Sequence, residues 1–135
     1  MMKILLTLSH PIFVFSAFEK VLKILRKMHW DDPDQADMVI ACLRSVWEVK
    51  YPDIRYVASV VSGLSSYTGD WIGIRISDWV LEDVRMCMEI CDPKFNQRRV
   101  SVIKFLGELY NYKLLDSNVV VKVRIFFVNR NTSNL

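Results

Sequence analysis

Apolar side chains recur every three or four residues along most of this chain, and this spacing limits the folds open to it. Positions i, i+3, i+4 and i+7 lie on one face of an α-helix, so each such run predicts an amphipathic helix. Apolar residues make up 52% of the sequence, which is enough for a packed core. The five apolar stripes are Phe18, Val21, Leu22, Leu25 and Met28; Met38, Val39, Cys42, Leu43, Val46 and Trp47; Ile54, Val57, Ala58, Val61 and Leu64; Ile72, Ile76, Trp79, Val80, Val84 and Cys87; and Val102, Ile103, Leu106, Leu109 and Tyr110.

Short polar turns separate these five segments. At Asp32-Pro33 the aspartate can cap a helix and the proline suits its first turn. Tyr51-Pro52-Asp53 repeats this pattern with Asp53 as the cap, and Cys91-Asp92-Pro93 ends the fourth helix. Ser65–Gly69 forms the remaining turn. Helices joined by short turns become antiparallel neighbours. The sequence therefore predicts an all-α fold of antiparallel helical hairpins, stacked as a short HEAT-like α-solenoid without a residue-level repeat.

Two parts of the chain fit this scheme less directly. Asn118–Phe127 forms a sixth segment that Asp116 or Ser117 can cap, but its β-branched residues favour a strand by propensity alone. Only its helical neighbours favour a helix. Gly107 lies within the fifth segment, where glycine costs about 1 kcal/mol relative to alanine. We therefore predict that a neighbouring helix passes close to Gly107.

The sequence contains little that is typical of catalytic or metal-binding sites. Its four glycines are too far apart for a phosphate-binding loop, and His10 and His29 have no nucleophile at a recognisable spacing. Cys42, Cys87 and Cys91 lack the paired spacing of a zinc site, and their odd number favours a reducing compartment. We predict no enzyme activity, no cofactor and no metal, with the cysteines packed as small apolar residues.

The amino terminus leaves a second class of function open. Residues 4–18 form an apolar run after Met-Met-Lys and are similar to a signal peptide. His10 and Pro11 interrupt the run, which is shorter than the roughly 20 residues of a membrane-spanning helix. The alternative hypothesis is a small membrane-anchored or secreted helical protein. Fractionation of the tagged protein distinguishes this hypothesis from a soluble adaptor.

Several strings in the sequence are distinctive of one family. Lys104–Tyr112 contains FLGELYNY, which is typical of middle domains of the initiation-factor-4G type, and Pro93–Arg99 reads PKFNQRR. With Trp79–Glu89 and the upstream Trp47–Tyr51, in the same order, these strings resemble the third middle domain of the nonsense-mediated decay adaptors called up-frameshift two. The resemblance covers about residues 19–121.

The resemblance implies a domain organisation and a role. It divides the chain into a divergent apolar segment at 1–18, a partial middle domain of helical hairpins at 19–127 and a disordered tail at 128–135, as expected of a truncated form. It implies a non-catalytic adaptor of messenger-RNA surveillance in the cytoplasm, with perinuclear and nuclear locations left open. The implied partner is up-frameshift three, bound through its RNA-recognition-motif-like domain. No small-molecule substrate and no membrane are implied.

Three carboxylates of the fourth segment share one side of the predicted helix. Asp78, Glu82 and Glu89 fall within roughly 40° of one another, opposite the apolar stripe. Such carboxylates are ordinary on a solvated helix, and Arg85 is close enough to neutralise part of their charge. The resemblance implies that the matching carboxylates meet basic residues of up-frameshift three. We therefore predict an acidic partner-binding site.

A basic set lies around the start of the fifth segment: Lys94, Arg98, Arg99 and Lys104. These residues could contact RNA phosphates or a second protein, or they could simply form the polar face of the helix. Four charges would give only weak, salt-sensitive affinity for RNA. The formal net charge of +3 neither requires nor excludes that contact.

Overall fold

The computed structural model describes residues 11–133, with side chains described for residues 16–130 and 132. Within this range the chain is built from α-helices and single-turn 3₁₀ helices, without strands, which confirms the all-α prediction. Residues 4–10 of the apolar run, with His10, lie outside the described residues, and the side chains of the run are described only from Ser16. The α-helices are α1 (Pro11–Arg26), α2 (Pro33–Arg44), α3 (Ile54–Thr68), α4 (Trp71–Glu89), α5 (Asn96–Asn111) and α6 (Ser117–Ser133). The 3₁₀ helices are Val46–Glu48, Tyr51–Asp53 and Pro93–Phe95.

Aspartates cap two of the helical starts: Asp32, as predicted, and Asp92, whereas the predicted cap Asp53 makes no capping hydrogen bond with its side chain. The Asp32 carboxylate accepts a hydrogen bond from the backbone N–H of Asp34 at 3.1 Å, and Pro33 begins α2. The Asp92 carboxylate accepts one from the backbone N–H of Lys94 at 2.9 Å, in the turn that leads into α5. Each carboxylate satisfies a donor that no helical carbonyl reaches, and this fixes where the helical segment begins.

The helices form two layers. In one layer α1 packs on α3, and α3 packs on α5. In the other, α2 packs on α4, and α4 also contacts α3 and α5. This alternation places α1, α3 and α5 on one side of a shared core and α2 and α4 on the other, as in stacked helical hairpins. The predicted HEAT-like architecture is confirmed.

The core lies between the two layers. Burial of one large apolar side chain stabilises a fold by about 1.5–3 kcal/mol, so the fully buried ones contribute most. In this core they come from both layers, so a single hairpin needs its neighbours. The largest fully buried side chains include Phe105, Leu25, Ile54, Leu64 and Ile72.

Four side chains that the apolar pattern placed inside are exposed in the structure. Met38, Trp79, Ile103 and Tyr110 lie at the surface, and Trp79 is 42% exposed. Phe105, which the pattern left out, is fully buried. Successive residues of a helix are about 100° apart around its axis. A residue at the edge of an apolar stripe therefore becomes exposed when the helix is rotated slightly about that axis. The inner faces of α4 and α5 are rotated relative to the predicted ones.

The last helix differs from the prediction at its end. α6 continues to Ser133, so residues 128–133 of the predicted disordered tail are helical. The Asp116 carboxylate accepts a hydrogen bond from the backbone N–H of Asn118 at 3.4 Å, which confirms Asp116 as a cap. Three side chains spaced one turn apart pack on the core and favour the helix over the strand that propensity suggested. They are Val119, Val123 and Phe127.

Close helix contacts occur at two glycines, but Gly107 is not one of them. A Cβ added to Gly63 would lie 2.7 Å from Leu22 Cδ2, and one added to Gly73 would lie 2.9 Å from Ser65 Oγ. A Cβ added to Gly107 would meet no atom within 4 Å. The predicted close approach at Gly107 is therefore wrong, because this glycine faces open space.

We expect Gly107→Ala to raise the free energy of unfolding by about 0.5–1 kcal/mol, because alanine loses less backbone entropy in a helix and meets no neighbour here. Thermal denaturation followed by circular dichroism measures the change. Gly73→Ala is the matched control, and it should gain less or lose stability because its new methyl group must displace Ser65. A lower melting temperature for Gly107→Ala would contradict the open placement.

Candidate protein-interaction surface

The outer side of α4 carries the three predicted carboxylates, all exposed: Asp78, Glu82 and Glu89, which we call the acidic face. Arg85 lies between the two glutamates. Its guanidinium pairs with Glu82 at 2.5 Å and with Glu89 at 2.9 Å. Within the described residues Asp78 forms no ion pair. The structure thus brings the predicted acidic residues together and places one cation among them.

The ion pair between Glu82 and Arg85 favours the charged form of both side chains. The hydrogen bond from Arg85 lowers the pKa of the Glu82 carboxyl, and the same bond raises the pKa of Arg85. Three carboxylates against one guanidinium leave a net negative charge on the acidic face. Because all four side chains are solvated, these pairs contribute little to the fold. A basic partner can therefore meet the carboxylates without disturbing the core.

A groove of about 230 Å³ between α2 and α4 flanks the acidic face. The Arg44 guanidinium lies 4.0 Å from the ring centroid of Trp79, and Arg75 pairs with Asp37 at 2.8 Å across the two helices. Trp and Arg are enriched in binding hot spots, and here Trp79 and Arg75 are exposed while Arg44 is half-buried. Sequence reasoning missed this surface because it placed Trp79 in the core, although Trp79 directly follows Asp78.

Arg98, from the predicted basic set, takes part in the internal packing of the fold. Its guanidinium pairs with Asp83 at 3.1 Å, and the two side chains are only 23% and 9% exposed. It also lies 3.8 Å from the ring centroid of Trp47. The three side chains join α4, α5 and the turn that follows α2. Sequence reasoning missed this cluster because its partners lie far apart along the chain.

Arg99 caps the end of α4. Its guanidinium donates to the backbone carbonyls of Cys87 and Ile90 and, at 3.4 Å, to that of Asp92. The last carbonyls of a helix lack partners within the helix, and a cation is favoured there by the helix dipole. The donors of Arg99 are therefore used within the fold.

The remaining basic residues offer few charges to a nucleic acid. Lys104 pairs with Glu108 one turn further along α5, and this hydrogen bond raises the pKa of Lys104. Lys94 is exposed, and its side chain has no ion-pair partner in the described range. A single unpaired lysine supplies about one phosphate contact, which is too little for useful RNA affinity. The geometry does not support RNA contact by this set.

The described part of the chain, residues 11–133, contains no cluster of three or more His, Cys, Asp or Glu side chains that could hold a metal ion. Cys87 is buried, and burial raises the pKa of its thiol, whereas Cys91 is exposed. None of the helices in this range is long and apolar enough to cross a bilayer.

Comparison with known protein families identifies the domain type. The family described as MIF4G domain matches residues 3–133. The chain belongs to the MIF4G domain family. This match confirms the resemblance to middle domains of the initiation-factor-4G type, which the string FLGELYNY indicated. The MIF4G match extends across both predicted boundaries, at residues 18 and 128, and α1 also runs through residue 18 without a break. The division into segments stays a prediction.

Relatives of this MIF4G domain are named for nonsense-mediated decay. Regulator of nonsense transcripts 2 of Homo sapiens is 48% identical over 111 residues, which is 82% of this chain and 9% of that protein. Regulator of nonsense transcripts UPF2 of Arabidopsis thaliana is 38% identical over 74% of this chain and 8% of its own length. Nonsense-mediated mRNA decay protein 2 of Saccharomyces cerevisiae is 32% identical over 77% of this chain and 10% of its own. The chain thus spans about a tenth of these relatives.

Proposed function

We propose that this MIF4G domain is a non-catalytic adaptor in nonsense-mediated mRNA decay, and that its acidic face binds the RNA-recognition-motif-like domain of up-frameshift three. The names of the relatives support the pathway. The resemblance to the third middle domain of up-frameshift two supports the partner. Such an adaptor works where messenger RNA is surveyed, in the cytoplasm or at and within the nucleus.

The observation that carries the proposal is the exposure of Asp78, Glu82 and Glu89 on one side of α4. A carboxylate cluster held outside the core attracts a basic surface and repels an acidic one, which gives both steering and selectivity. Arg85 fixes the positions of two of the carboxylates through its ion pairs. A partner therefore meets an ordered pattern of charge.

The neighbouring groove adds an apolar anchor to this charged surface. Trp79 presents 42% of its surface to solvent beside Asp78. Interfaces combine a few buried aromatic or arginine contacts with a polar rim, and the rim contributes mainly orientation and association rate. We infer that a partner centred on the acidic face also covers the ring of Trp79. The residues of the basic set, which are mostly engaged within the fold, have no part in the proposed site.

Reversing one charge tests the site. We expect Glu82→Arg to weaken binding of the up-frameshift three domain at least about tenfold, because it replaces an attraction by a repulsion and leaves the acidic face without net negative charge. Isothermal titration calorimetry measures the affinity, and circular dichroism verifies that the variant is folded. Its side chain is exposed, so the fold should persist.

Glu48→Arg is the matched control. Glu48 is also exposed but lies in the Val46–Glu48 turn, a different element from the one that carries the acidic face. The reversal changes the net charge equally, and effects over more than about 10 Å are screened at moderate salt. A folded Glu82→Arg protein that binds as tightly as the parent, or a Glu48→Arg protein that loses as much affinity, would refute the assigned site.

A further inference from the structure

Arg44, the last residue of α2, differs from the two arginines of α4. Arg75 pairs with a carboxylate of α2, and Arg85 pairs with two carboxylates of its own helix. Among the described residues Arg44 has no ion-pair partner. Its guanidinium lies over the ring of Trp79, 4.0 Å from the centroid, and its nitrogen Nη1 is buried without a hydrogen-bond acceptor. Since a buried donor without an acceptor costs free energy, an acceptor brought from outside would stabilise this side chain.

The isolation of Arg44 does not reflect a lack of acids on its two helices. Together α2 and α4 contain six carboxylates: Asp34, Asp37, Asp78, Glu82, Asp83 and Glu89. Four of them are paired, and in each case with an arginine other than Arg44. The contact with the ring of Trp79 stabilises the guanidinium in its place instead. The charge of Arg44 is therefore fixed in position but not neutralised by a carboxylate.

The groove of about 230 Å³ beside Arg44 is large enough for a short side chain from a partner. Ala41 lines it from α2, and Trp79 lines it from α4. Asp37 and Arg75 also line it, but these two neutralise each other at 2.8 Å. The lining therefore carries one net positive charge, although the neighbouring acidic face is negative. Apolar walls around a single cation suit a side chain that has both a methylene stem and a carboxylate.

We propose that this groove binds an Asp or Glu side chain of a partner protein, whose carboxylate pairs with the guanidinium of Arg44. A guanidinium can bind a carboxylate through two parallel N–H donors, and such charge-assisted hydrogen bonds are roughly twice as strong as neutral ones. The contact with Trp79 already restricts the guanidinium, so less side-chain freedom is lost on binding. We take the partner to be the protein that covers the acidic face, so the inference rests on the proposed function.

The contact at Arg44 requires a partner surface of mixed charge. Asp78 directly precedes Trp79, and Arg44 lies over the Trp79 ring, so an acid and a cation adjoin the same exposed aromatic residue. Cations of the partner then meet the acidic face, and one carboxylate of the partner meets Arg44. A uniformly basic surface would be attracted by the first and repelled by the second. Arg44 thus discriminates among basic partners.

Reversal of the charge of Arg44 gives opposite results with and without the proposed contact. Arg44→Glu makes the domain more negative, so attraction by the acidic face alone predicts tighter binding of the up-frameshift three domain. We expect instead that affinity falls at least about tenfold, because a repulsion between two carboxylates replaces the ion pair. Arg44→Met, which keeps an apolar side chain against Trp79, should also lose affinity. Isothermal titration calorimetry measures binding, and circular dichroism verifies that each variant is folded.

Arg75→Glu is the matched control. It changes the charge by the same amount in the same groove, but Arg75 is already paired with Asp37. It should lose much less affinity than Arg44→Glu. Unchanged or tighter binding by a folded Arg44→Glu protein, or equal losses for the two reversals, would overturn the proposal. If Glu82→Arg still weakened binding in that case, the acidic face would stand without the contact at Arg44.

A small probe tests the groove without up-frameshift three. The probe is a tripeptide with glutamate between two leucines, blocked at both ends, and its counterpart has glutamine in place of glutamate. Heteronuclear NMR of the full chain follows the indole N–H of Trp79. The glutamate peptide should shift this resonance with saturation, and the shift should vanish in Arg44→Met. No shift, an equal shift with the glutamine peptide, or an equal shift in Arg44→Met would overturn the proposal. A parent that responds to this peptide but does not bind up-frameshift three would refute the proposed function and retain the carboxylate site.

Discussion

Phe105→Ala should lower the free energy of unfolding by about 3–5 kcal/mol, the cost of removing a large aromatic side chain from a tightly packed core. Phe105 is fully buried where α5 meets the other layer. Loss of its ring leaves a cavity that neighbours on several helices can fill only partly. Since small domains are stable by about 5–15 kcal/mol, this variant should be close to unfolding at physiological temperature. Urea denaturation followed by circular dichroism measures the difference.

Ile103→Ala, two residues earlier on the same helix, is the control. Ile103 lies at the surface with 40% of its area exposed, so its truncation should cost less than about 1 kcal/mol. The apolar pattern of the sequence predicts the reverse order, with Ile103 inside. Equal losses for the two variants, or a larger loss for Ile103→Ala, would show that α5 is rotated from the position described.

Asp83→Ala should be the second most damaging change, at about 3 kcal/mol. Asp83 is buried in α4 and is the carboxylate partner of Arg98 at 3.1 Å. Its removal leaves a guanidinium that is 23% exposed without its counter-charge, packed on the ring of Trp47. The loss should fall at the lower end of the range for broken buried pairs, because water still reaches part of Arg98. Chemical denaturation of the variant measures it.

A double variant separates the ion pair from simple packing. Asp83→Leu combined with Arg98→Met removes both charges and keeps apolar volume, so it should be more stable than the sum of the two single losses predicts. Additive losses would mean that the two side chains do not act as a pair. In that case the cluster of Asp83, Arg98 and Trp47 would have no special role in joining α4 to α5.

The helical architecture could be predicted because its signals are local. The spacing of the apolar residues and the capping aspartate Asp32 each act within a few residues, and the structure places helices where they indicated. The rotation of each helix was harder to predict. Trp79 was assigned to the core and Phe105 was left out of it, and the structure shows the reverse. The apolar stripe of a helix defines its rotation about its own axis only to within about one residue, or 100°. The structure decides the rotation through contacts with other helices.

The candidate site was predictable to a similar extent. The grouping of Asp78, Glu82 and Glu89 follows from helical geometry, and the structure exposes all three with Arg85 among them. The contacts that the basic residues make could not be predicted from the sequence. Arg98 and Asp83 are 15 residues apart, and nothing local indicates that they meet inside the fold. A charge that pairs across two helices can be recognised only once the helices are assembled.

The α6 segment shows how tertiary contacts decide between two local preferences. Its valines favour a strand when they are considered alone. In the fold, Val119, Val123 and Phe127 repeat at the spacing of one helical turn and contact the core. Helical geometry is therefore the one that buries this line of side chains. The helix also extends beyond the predicted end of the segment at Phe127, to Ser133.

The most direct measurement of the central claim is a calorimetric titration of this chain with the RNA-recognition-motif-like domain of up-frameshift three, at low and at moderate salt. The parent should bind, and its affinity should fall as salt rises, because exposed charges are screened beyond about 10 Å at 0.1 M. A folded protein carrying Asp78→Arg, Glu82→Arg and Glu89→Arg together should show no measurable binding at either salt concentration. A parent that does not bind, or a triple variant that binds as tightly as the parent, would contradict the assignment of the acidic face.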